Sequence, residues 1–293
     1  MNEGVRRMSY RAILLPLFGQ EGDARAIEAA LAVANRFEAA IDALFCRVDP
    51  SDVVPFIGEG VSPAVIQQLT DAAREEMDRQ RGIARRMLES ACHAGGYSVG
   101  EERAGGARTV RWLEATGDRS EIVMHAARLS DLVVFARPLE PDDAERHVVE
   151  ATLLGGGRPL LVVPPVWSGS IGHTVAVAWN GGLEAARAVA AAMPFLEASS
   201  TAHILTADTA KTRFEQSADL AAYLAQHGVP AERHALRSSG EPVGAAILAR
   251  AAEAGADLLV LGGYSRSRFR EMVLGGVTRH VLAHAALPVL IAH

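Results

Sequence analysis

The sequence predicts an α/β protein of two doubly wound domains, because one pattern of elements occurs twice along its 293 residues. In each half, short aliphatic runs alternate with longer amphipathic stretches, which is typical of a parallel sheet covered by helices on both faces. The halves align at their starts, with Gly19 on Gly181, and at their ends, where residues 158–163 match residues 287–292. We therefore expect two copies of a five-stranded parallel sheet flanked by helices.

The first copy is expected over residues 9–165 and the second over residues 171–293, with a short linker rich in proline, glycine and serine between them. The longest helix is predicted over residues 63–94, because Ser62 suits an N-cap and Gly95-Gly96 suits a helix end. Strands of the first copy are predicted near residues 11–17, 40–47, 109–115, 131–136 and 159–163. Strands of the second copy are predicted near residues 174–179, 201–206, 231–236, 257–262 and 288–292. Helices of the second copy are predicted near residues 182–196, 212–227, 241–254 and 269–285.

The composition restricts the class of protein. Hydrophobic residues make up 49% and charged residues 22%, which is ordinary for a soluble globular protein. The net charge of −6 argues against a surface built for nucleic acid or for an anionic membrane. The two cysteines, Cys46 and Cys92, form no CxxC pair, and the N-terminus has no apolar run long enough for a signal peptide or a membrane span. We therefore expect a cytoplasmic protein with no nucleic-acid partner and no membrane partner.

Polar and glycine-rich segments follow the first and fourth strands of the second copy. Ligands of open α/β sheets bind beyond the carboxyl ends of the strands where the winding reverses, close to helix N-termini. In this copy the segments are residues 180–182 and residues 262–276, and the second contains glycines, the hydroxyl of Ser265 and three arginines at alternate positions from Arg266. This chemistry suits a phosphate group, although glycines also serve turns and arginines also solvate helix starts.

The motifs at these positions resemble those of the universal stress protein family. Residues 177–182 resemble the end of its first strand, residues 256–266 its fourth strand and loop, and residues 274–291 its last helix and strand. The chain is therefore similar to a tandem universal stress protein, strongly in the second half and more weakly in the first. The resemblance implies two flavodoxin-like (Rossmann-like) domains related by a pseudo-two-fold axis and paired through their fifth strands. A homodimer is also compatible with it.

In one branch of the family ATP lies between the first and fourth strand ends, and this resemblance supplies the candidate binding residues. They are Ala178, Asn180, Gly181, Gly262, Gly263, Ser265, Arg266, Arg268, Gly275, Gly276, Val277 and Thr278. Three of them depart from the pattern of that branch: Ser265 replaces a glycine, Gly276 replaces a serine or threonine, and Asn180 replaces an aspartate. These departures are compatible with weakened ATP binding, with a different nucleotide or with none.

The first copy departs further from the ATP-binding pattern. Phe18 occupies the aspartate position, and residues 136–143 carry prolines and acidic residues where the pattern has glycines. Because like charges repel a triphosphate, we expect this degenerate copy to lack a phosphate loop and to have a structural or partner-binding role.

Catalytic and metal motifs receive simpler interpretations. His280 and His284 lie one helical turn apart without a nearby third ligand, so a pair on a helix surface is favoured over a zinc site, and no metal is expected. Asp131 and Asp257 precede the fourth strands and are interpreted as turn residues at the strand starts.

With no catalytic triad, nucleophile elbow or Walker loop, at most a weak ATPase is expected. Two hypotheses remain: a nucleotide-binding regulatory protein of the stress response, and a nucleotide-free interaction module that acts through protein partners.

Overall fold

The described part of the chain forms two compact units. The computed structural model describes residues 9–48, 62–102, 108–138, 144–167, 169–207, 214–236, 242–263 and 276–293. The first unit is Arg11–Gly156, and the second consists of Gly157–His293 together with Ser9 and Tyr10. Within the described ranges, no helix combines the length and the apolar character needed to cross a membrane.

The first unit is a parallel sheet with helices between its strands. Its elements are β1 (Ala12–Leu17), α1 (Asp23–Phe37), β2 (Ala40–Arg47), α2 (Pro63–Gly95), β3 (Ser98–Gly100), β4 (Thr109–Thr116), α3 (Arg119–Ala127), β5 (Leu132–Ala136) and α4 (Ala144–Gly155). The strand order is β3-β4-β2-β1-β5, and neighbouring strands within it pair in parallel. Aliphatic residues of β1, β2 and β5 are buried on both faces, as expected for central strands of a sheet covered by helices.

The second unit is also a parallel sheet with helices between its strands, and it includes one antiparallel strand. Its elements are β6 (Leu160–Val163), β7 (Thr174–Ala178), α5 (Leu183–Glu197), β8 (Thr201–Ala207), a 3₁₀ turn (Phe214–Gln216), α6 (Ser217–Gln226), β9 (Ala231–Leu236), α7 (Val243–Glu253), β10 (Leu258–Gly262), α8 (Gly276–His284) and β11 (Val289–Ala292). The strand order is β9-β8-β7-β10-β11-β6. All pairs are parallel except β11 with β6, where Leu290 lies opposite Leu161.

The α/β fold class is confirmed, and each strand expected from the sequence is present. The order β9-β8-β7-β10-β11 is the doubly wound order, in which the winding reverses between β7 and β10. The three-residue strand β3 was not predicted, and the helix expected over residues 212–227 is a 3₁₀ turn followed by α6. The domain bounds 9–165 and 171–293, and association of the two domains through their fifth strands, stay predictions.

Asp131 and Asp257 have the structural role that the sequence indicated. An oxygen of Asp131 accepts hydrogen bonds from the backbone N–H groups of Arg11 and Ala12, at 2.7 and 3.0 Å. Asp257 accepts from the N–H groups of His173 and Thr174 at 3.1 and 2.9 Å. Each aspartate therefore ties the start of its unit's fourth main strand to the start of the first, at the sheet edge opposite the carboxyl ends.

The second unit also includes residues from the beginning of the chain. The hydroxyl of Tyr10 donates a hydrogen bond of 2.7 Å to the carbonyl of Ala191 in α5. Its ring lies 5.4 Å from the ring of Phe195, measured between centroids. Tyr10 is 3% exposed, so this contact is part of the core of the second unit.

Candidate functional site

The candidate site begins where β7 and β10 end, side by side, at the carboxyl edge of the second sheet. Residue Leu261 of β10 lies opposite Ala178 of β7, and Gly262 follows as the last residue of β10. Strand β8 flanks β7 on its other side. The winding of the sheet reverses between these two strands, which is where the sequence placed the site.

A tight turn over residues 180–182 connects β7 to α5. The Oδ1 atom of Asn180 accepts a hydrogen bond of 2.9 Å from the N–H of Gly182. Gly181 has φ +71°, a left-handed conformation that favours glycine. The preceding residue, Trp179, donates from Nε1 to the carbonyl of Gln216 at 3.3 Å. Asn180 is thus a turn-forming residue at the start of α5, and an aspartate could accept the same hydrogen bond.

Gly262 brings the end of β10 into direct contact with the first turn of α5. A Cβ atom at this position would lie 2.4 Å from the backbone nitrogen of Ala185 and 2.7 Å from the carbonyl carbon of Glu184. Only glycine permits this approach. The positive end of the α5 dipole is therefore held against the carboxyl edge of the sheet, an arrangement that favours a bound anion.

The acidic side chain of Glu184 also lies at this helix start, and the sequence analysis missed it. Glu184 is 7% exposed. Its Oε2 is 3.5 Å from the place where a Cβ of Gly182 would stand, so the carboxylate lies against the 180–182 turn. An acid in the first turn stabilises the helix through its dipole, but it places negative charge where the sequence predicted a phosphate. The only signal for this residue in the sequence was an acid two positions after the pair Gly181-Gly182.

The remaining candidates lie after β10. The N–H of Gly263 donates to the carbonyl of Ala292 at 2.8 Å, and the carbonyl of Gly263 accepts from Nδ1 of His293 at 3.1 Å. Gly276, Val277 and Thr278 are the first three residues of α8, and a Cβ on Gly276 would meet no atom of the described part of the chain within 4 Å. Ser265, Arg266, Arg268 and Gly275 lie outside the described residues. The structure therefore brings Ala178, Asn180, Gly181, Gly262 and Gly263 to one edge and places the other three at the start of the next helix.

A comparison with models of known protein families identifies the family to which the second half of the chain is similar. The model of the universal stress protein family matches residues 173–293. The second half carries a universal stress protein domain. The comparison with curated proteins gave no match.

Solved universal stress proteins also share the fold over nearly the whole chain. A universal stress protein from Archaeoglobus fulgidus DSM 4304 has a TM-score of 0.68 at 16% identity, covering 96% of this chain and 97% of its own. A putative universal stress protein from Pseudomonas aeruginosa UCBPP-PA14 has a TM-score of 0.55 at 15% identity, covering 97% and 93%. A functionally unknown protein from Pseudomonas aeruginosa PAO1 has a TM-score of 0.54 at 16% identity, covering 97% and 92%. At these identities the likeness shows the fold alone.

The first unit, which the family model does not match, has a different surface at the end of its first strand. Gly19 has φ +75°, and a Cβ atom there would lie 2.4 Å from the carbonyl oxygen of Gln80 in α2. Phe18 is 5% exposed, and the guanidinium of Arg119 lies 5.8 Å from the centre of its ring. Helix α2 therefore covers the turn that follows β1. This coverage has no counterpart in the sequence motifs, and the lack of a phosphate site in the first copy stays a prediction.

A buried acid supports the same turn in the first unit. One oxygen of Asp23 accepts hydrogen bonds from the N–H groups of Phe18 and Gly19, at 3.0 and 2.7 Å. Burial raises the pKa of the Asp23 carboxyl to about 6, although these hydrogen bonds, one from the Gln20 N–H and the charge of Arg119 act in the opposite direction. Between pH 4 and 6 the folded chain therefore binds a proton that the unfolded chain releases.

Asp23→Asn should remove one component of the pH dependence of stability. Because the folded pKa is raised, the Asp23 contribution to stability is fully present below about pH 4 and falls as the pH rises through about 6. The full loss, for a pKa raised from 3.8 to about 6, amounts to about 3 kcal/mol, of which about 2 kcal/mol falls between pH 4.5 and pH 7.5, and the asparagine variant should lack it. Urea unfolding at pH 4.5 and pH 7.5 would measure the difference between the two free energies of unfolding. The exposed acid Asp71, changed to asparagine, is the control; an Asp23 variant with the wild-type pH difference would contradict the assignment.

Proposed function

We propose that the universal stress protein domain of the second unit binds ATP or a related nucleotide between the ends of β7 and β10, with little or no turnover, and that it acts as a regulatory element of the stress response. The observation that carries this proposal is the contact of Gly262 with the first turn of α5, since it leaves a helix N-terminus and a glycine turn together where the winding reverses. We also propose that residues 9–165 are a degenerate copy of the same domain.

The phosphates would lie near the start of α5 and the glycine turn that precedes it. The backbone groups of Gly181 are accessible to a ligand without an intervening side chain, and Asn180 at the same turn would meet the adenosine end of the nucleotide. Gly263 is buried, and its N–H and carbonyl groups are bonded to Ala292 and His293. Ser265, Arg266 and Arg268 would add a hydroxyl and positive charge, an assignment that rests on the sequence. Thr278 and the open position at Gly276 would belong to the α8 side.

The second candidate function is a nucleotide-free interaction module, and the position of Glu184 favours it. Its buried carboxylate lies against the turn that the phosphates would approach. At an effective dielectric constant between those of protein and water, one such charge several ångströms from a phosphate costs about 1 kcal/mol. The cost weakens nucleotide binding without preventing it, so the strength of ATP binding distinguishes the two candidates.

Glu184→Gln should tighten ATP binding about threefold to tenfold, because it removes this charge and keeps the size of the side chain. Isothermal titration calorimetry at low ionic strength would give the dissociation constants of ATP for wild type and variant. The change in tryptophan fluorescence on ATP addition, to which Trp179 contributes, would be measured in parallel. Glu197→Gln is the matched control, since Glu197 ends the same helix and should leave the affinity unchanged.

Two results would decide against the nucleotide proposal. One is an absence of ATP, ADP and AMP binding in wild type and in both glutamine variants. The other is an equal change in Glu184→Gln and Glu197→Gln, which would mean that net charge, and not this position, controls the affinity. In the first case the interaction module would replace the nucleotide-binding domain as the proposed function.

A further inference from the structure

Two strands of the second unit bring two histidines and a glutamate to one face of the sheet. His203 lies on β8, and Glu232 and His234 lie on the neighbouring strand β9. The parallel register places His203 opposite Glu232. Since side chains alternate along a strand, His234 lies on the same face as Glu232, so all three residues share this face.

The distances between the three ligand atoms match the size of a metal site. Nδ1 of His203 is 3.0 Å from Nε2 of His234. Oε2 of Glu232 is 3.5 Å from Nδ1 of His203 and 3.7 Å from Nε2 of His234. A tetrahedral ion with bonds of about 2.0–2.1 Å separates its ligand atoms by about 3.3–3.4 Å. The three atoms therefore outline one face of a tetrahedron of this size.

We propose that His203, Glu232 and His234 bind a divalent transition metal ion such as Zn²⁺, with water at the fourth position. Two imidazoles and one carboxylate are a donor set that zinc accepts. His203 is 7% exposed and holds the inner side of the site, whereas the side chain of Glu232 is 67% exposed and gives the ion and its water access from solvent. This site is independent of the nucleotide site, and the sequence analysis, which weighed only His280 and His284, did not foresee it.

Arg250 of α7 stabilises the arrangement of these side chains in the absence of metal. Its Nη2 lies 2.9 Å from Nδ1 of His234. A guanidinium only donates, so this nitrogen of His234 accepts, and the single proton of the neutral ring is on Nε2. That proton is donated to Nδ1 of His203, and it occupies the atom that the metal needs.

Metal binding therefore requires a tautomer change and a movement of Arg250. The proton of His234 shifts from Nε2 to Nδ1, so the neutral ring neither gains nor loses a proton overall. The Arg250 guanidinium turns away from Nδ1 and can keep its ion pair with Glu253, now 2.9 Å long.

Arg250→Gln should tighten Zn²⁺ binding about tenfold, because glutamine can accept a hydrogen bond from Nδ1–H and so supports the metal-bound tautomer. Wild type, stripped of metal, should bind one Zn²⁺ per chain in a titration against a competing chelator. Co²⁺ in the same site should give the intense visible absorption of tetrahedral coordination. His234→Gln should weaken binding at least a hundredfold, and Glu232→Gln, at an exposed position that does not threaten folding, about tenfold.

His284→Gln is the matched control. His280 and His284 also lie close together, with ring centroids 4.3 Å apart. Among the described residues, however, the cluster of His203, Glu232 and His234 is the one in which three potential ligands converge. His284→Gln should leave Zn²⁺ affinity unchanged.

Three results would overturn the proposal. Wild type and Arg250→Gln could both bind less than one Zn²⁺ per chain, or Glu232→Gln and His234→Gln could both bind Zn²⁺ with wild-type affinity. The third is loss of Zn²⁺ binding in His284→Gln alone. Each would assign the three side chains to a hydrogen-bonded contact between β8, β9 and α7 without a metal.

Discussion

Asn180→Asp, Ser265→Gly and Gly276→Ser, combined in one variant, should tighten ATP binding about tenfold to a thousandfold. Each change restores a residue type that the ATP-binding branch has at that position, and each new hydrogen bond contributes about 0.5–1.5 kcal/mol. An aspartate at 180 would keep the hydrogen bond to the N–H of Gly182 and add a second acceptor oxygen for the adenosine end of the nucleotide, where the resemblance places this residue. Among the described residues, no atom lies within 4 Å of the place that the serine Cβ at 276 would take, so none of them obstructs the added hydroxyl.

Calorimetric titration of ATP into wild type and the triple variant measures this gain, and a tenfold change suffices because effects around one ligand do not add fully. The matched control replaces Gly276→Ser by Gly276→Ala, which adds the same Cβ without a hydroxyl and should bind more weakly than the serine version. A folded triple variant with wild-type affinity would show that Glu184 or Trp179 closes the site, and the interaction module would then be the better proposal.

Gly262→Ala should destabilise the second unit by about 3 kcal/mol or more, because its Cβ would overlap backbone atoms of α5. The contact of 2.4 Å is with the nitrogen of Ala185, which cannot rotate away as the end of a side chain would. To fold at all, the variant must move the start of α5 away from β10. We therefore expect loss of nucleotide binding together with the loss of stability.

Urea unfolding of the full chain, followed by circular dichroism, measures the effect. Gly276→Ala is the control in the same unit, since its Cβ has open space and the substitution should change the free energy of unfolding by less than about 0.5 kcal/mol. Equal stability of Gly262→Ala and wild type would contradict the close approach of β10 and α5 on which the proposed site depends.

Local sequence signals predicted the elements well where chemistry and pattern agreed. The helix expected over residues 63–94 is α2, with Pro63 in its first turn and Gly96 at its end in the left-handed conformation with φ +70°. Asp131 and Asp257 were interpreted as turn residues, and both accept backbone hydrogen bonds at strand starts. The carboxyl edge between β7 and β10 followed from topology, since alternating strands and helices leave few ways to wind a sheet.

Other features depend on contacts between residues far apart in sequence, and no local pattern encodes them. Helix α2 covers Gly19 through Gln80, a contact set by where the long helix crosses the sheet. His203 and His234 meet only because β8 and β9 pair in one register, and a shift of one residue would place them on opposite faces. Glu184 is buried because Gly262 draws the start of α5 onto β10. These contacts decide the properties of the candidate sites.

The hydrogen bond of Tyr10 to Ala191 sets an order for the assembly of the chain during translation. The two residues are 181 positions apart, so the ribosome makes Tyr10 long before its place on α5 exists. At cellular rates of synthesis the delay is roughly ten to forty seconds. The first unit, continuous from Arg11 to Gly156, can fold within that time. Tyr10 therefore joins the core of the second unit only after α5 has been synthesised, and late completion of that unit is built into the order of the sequence.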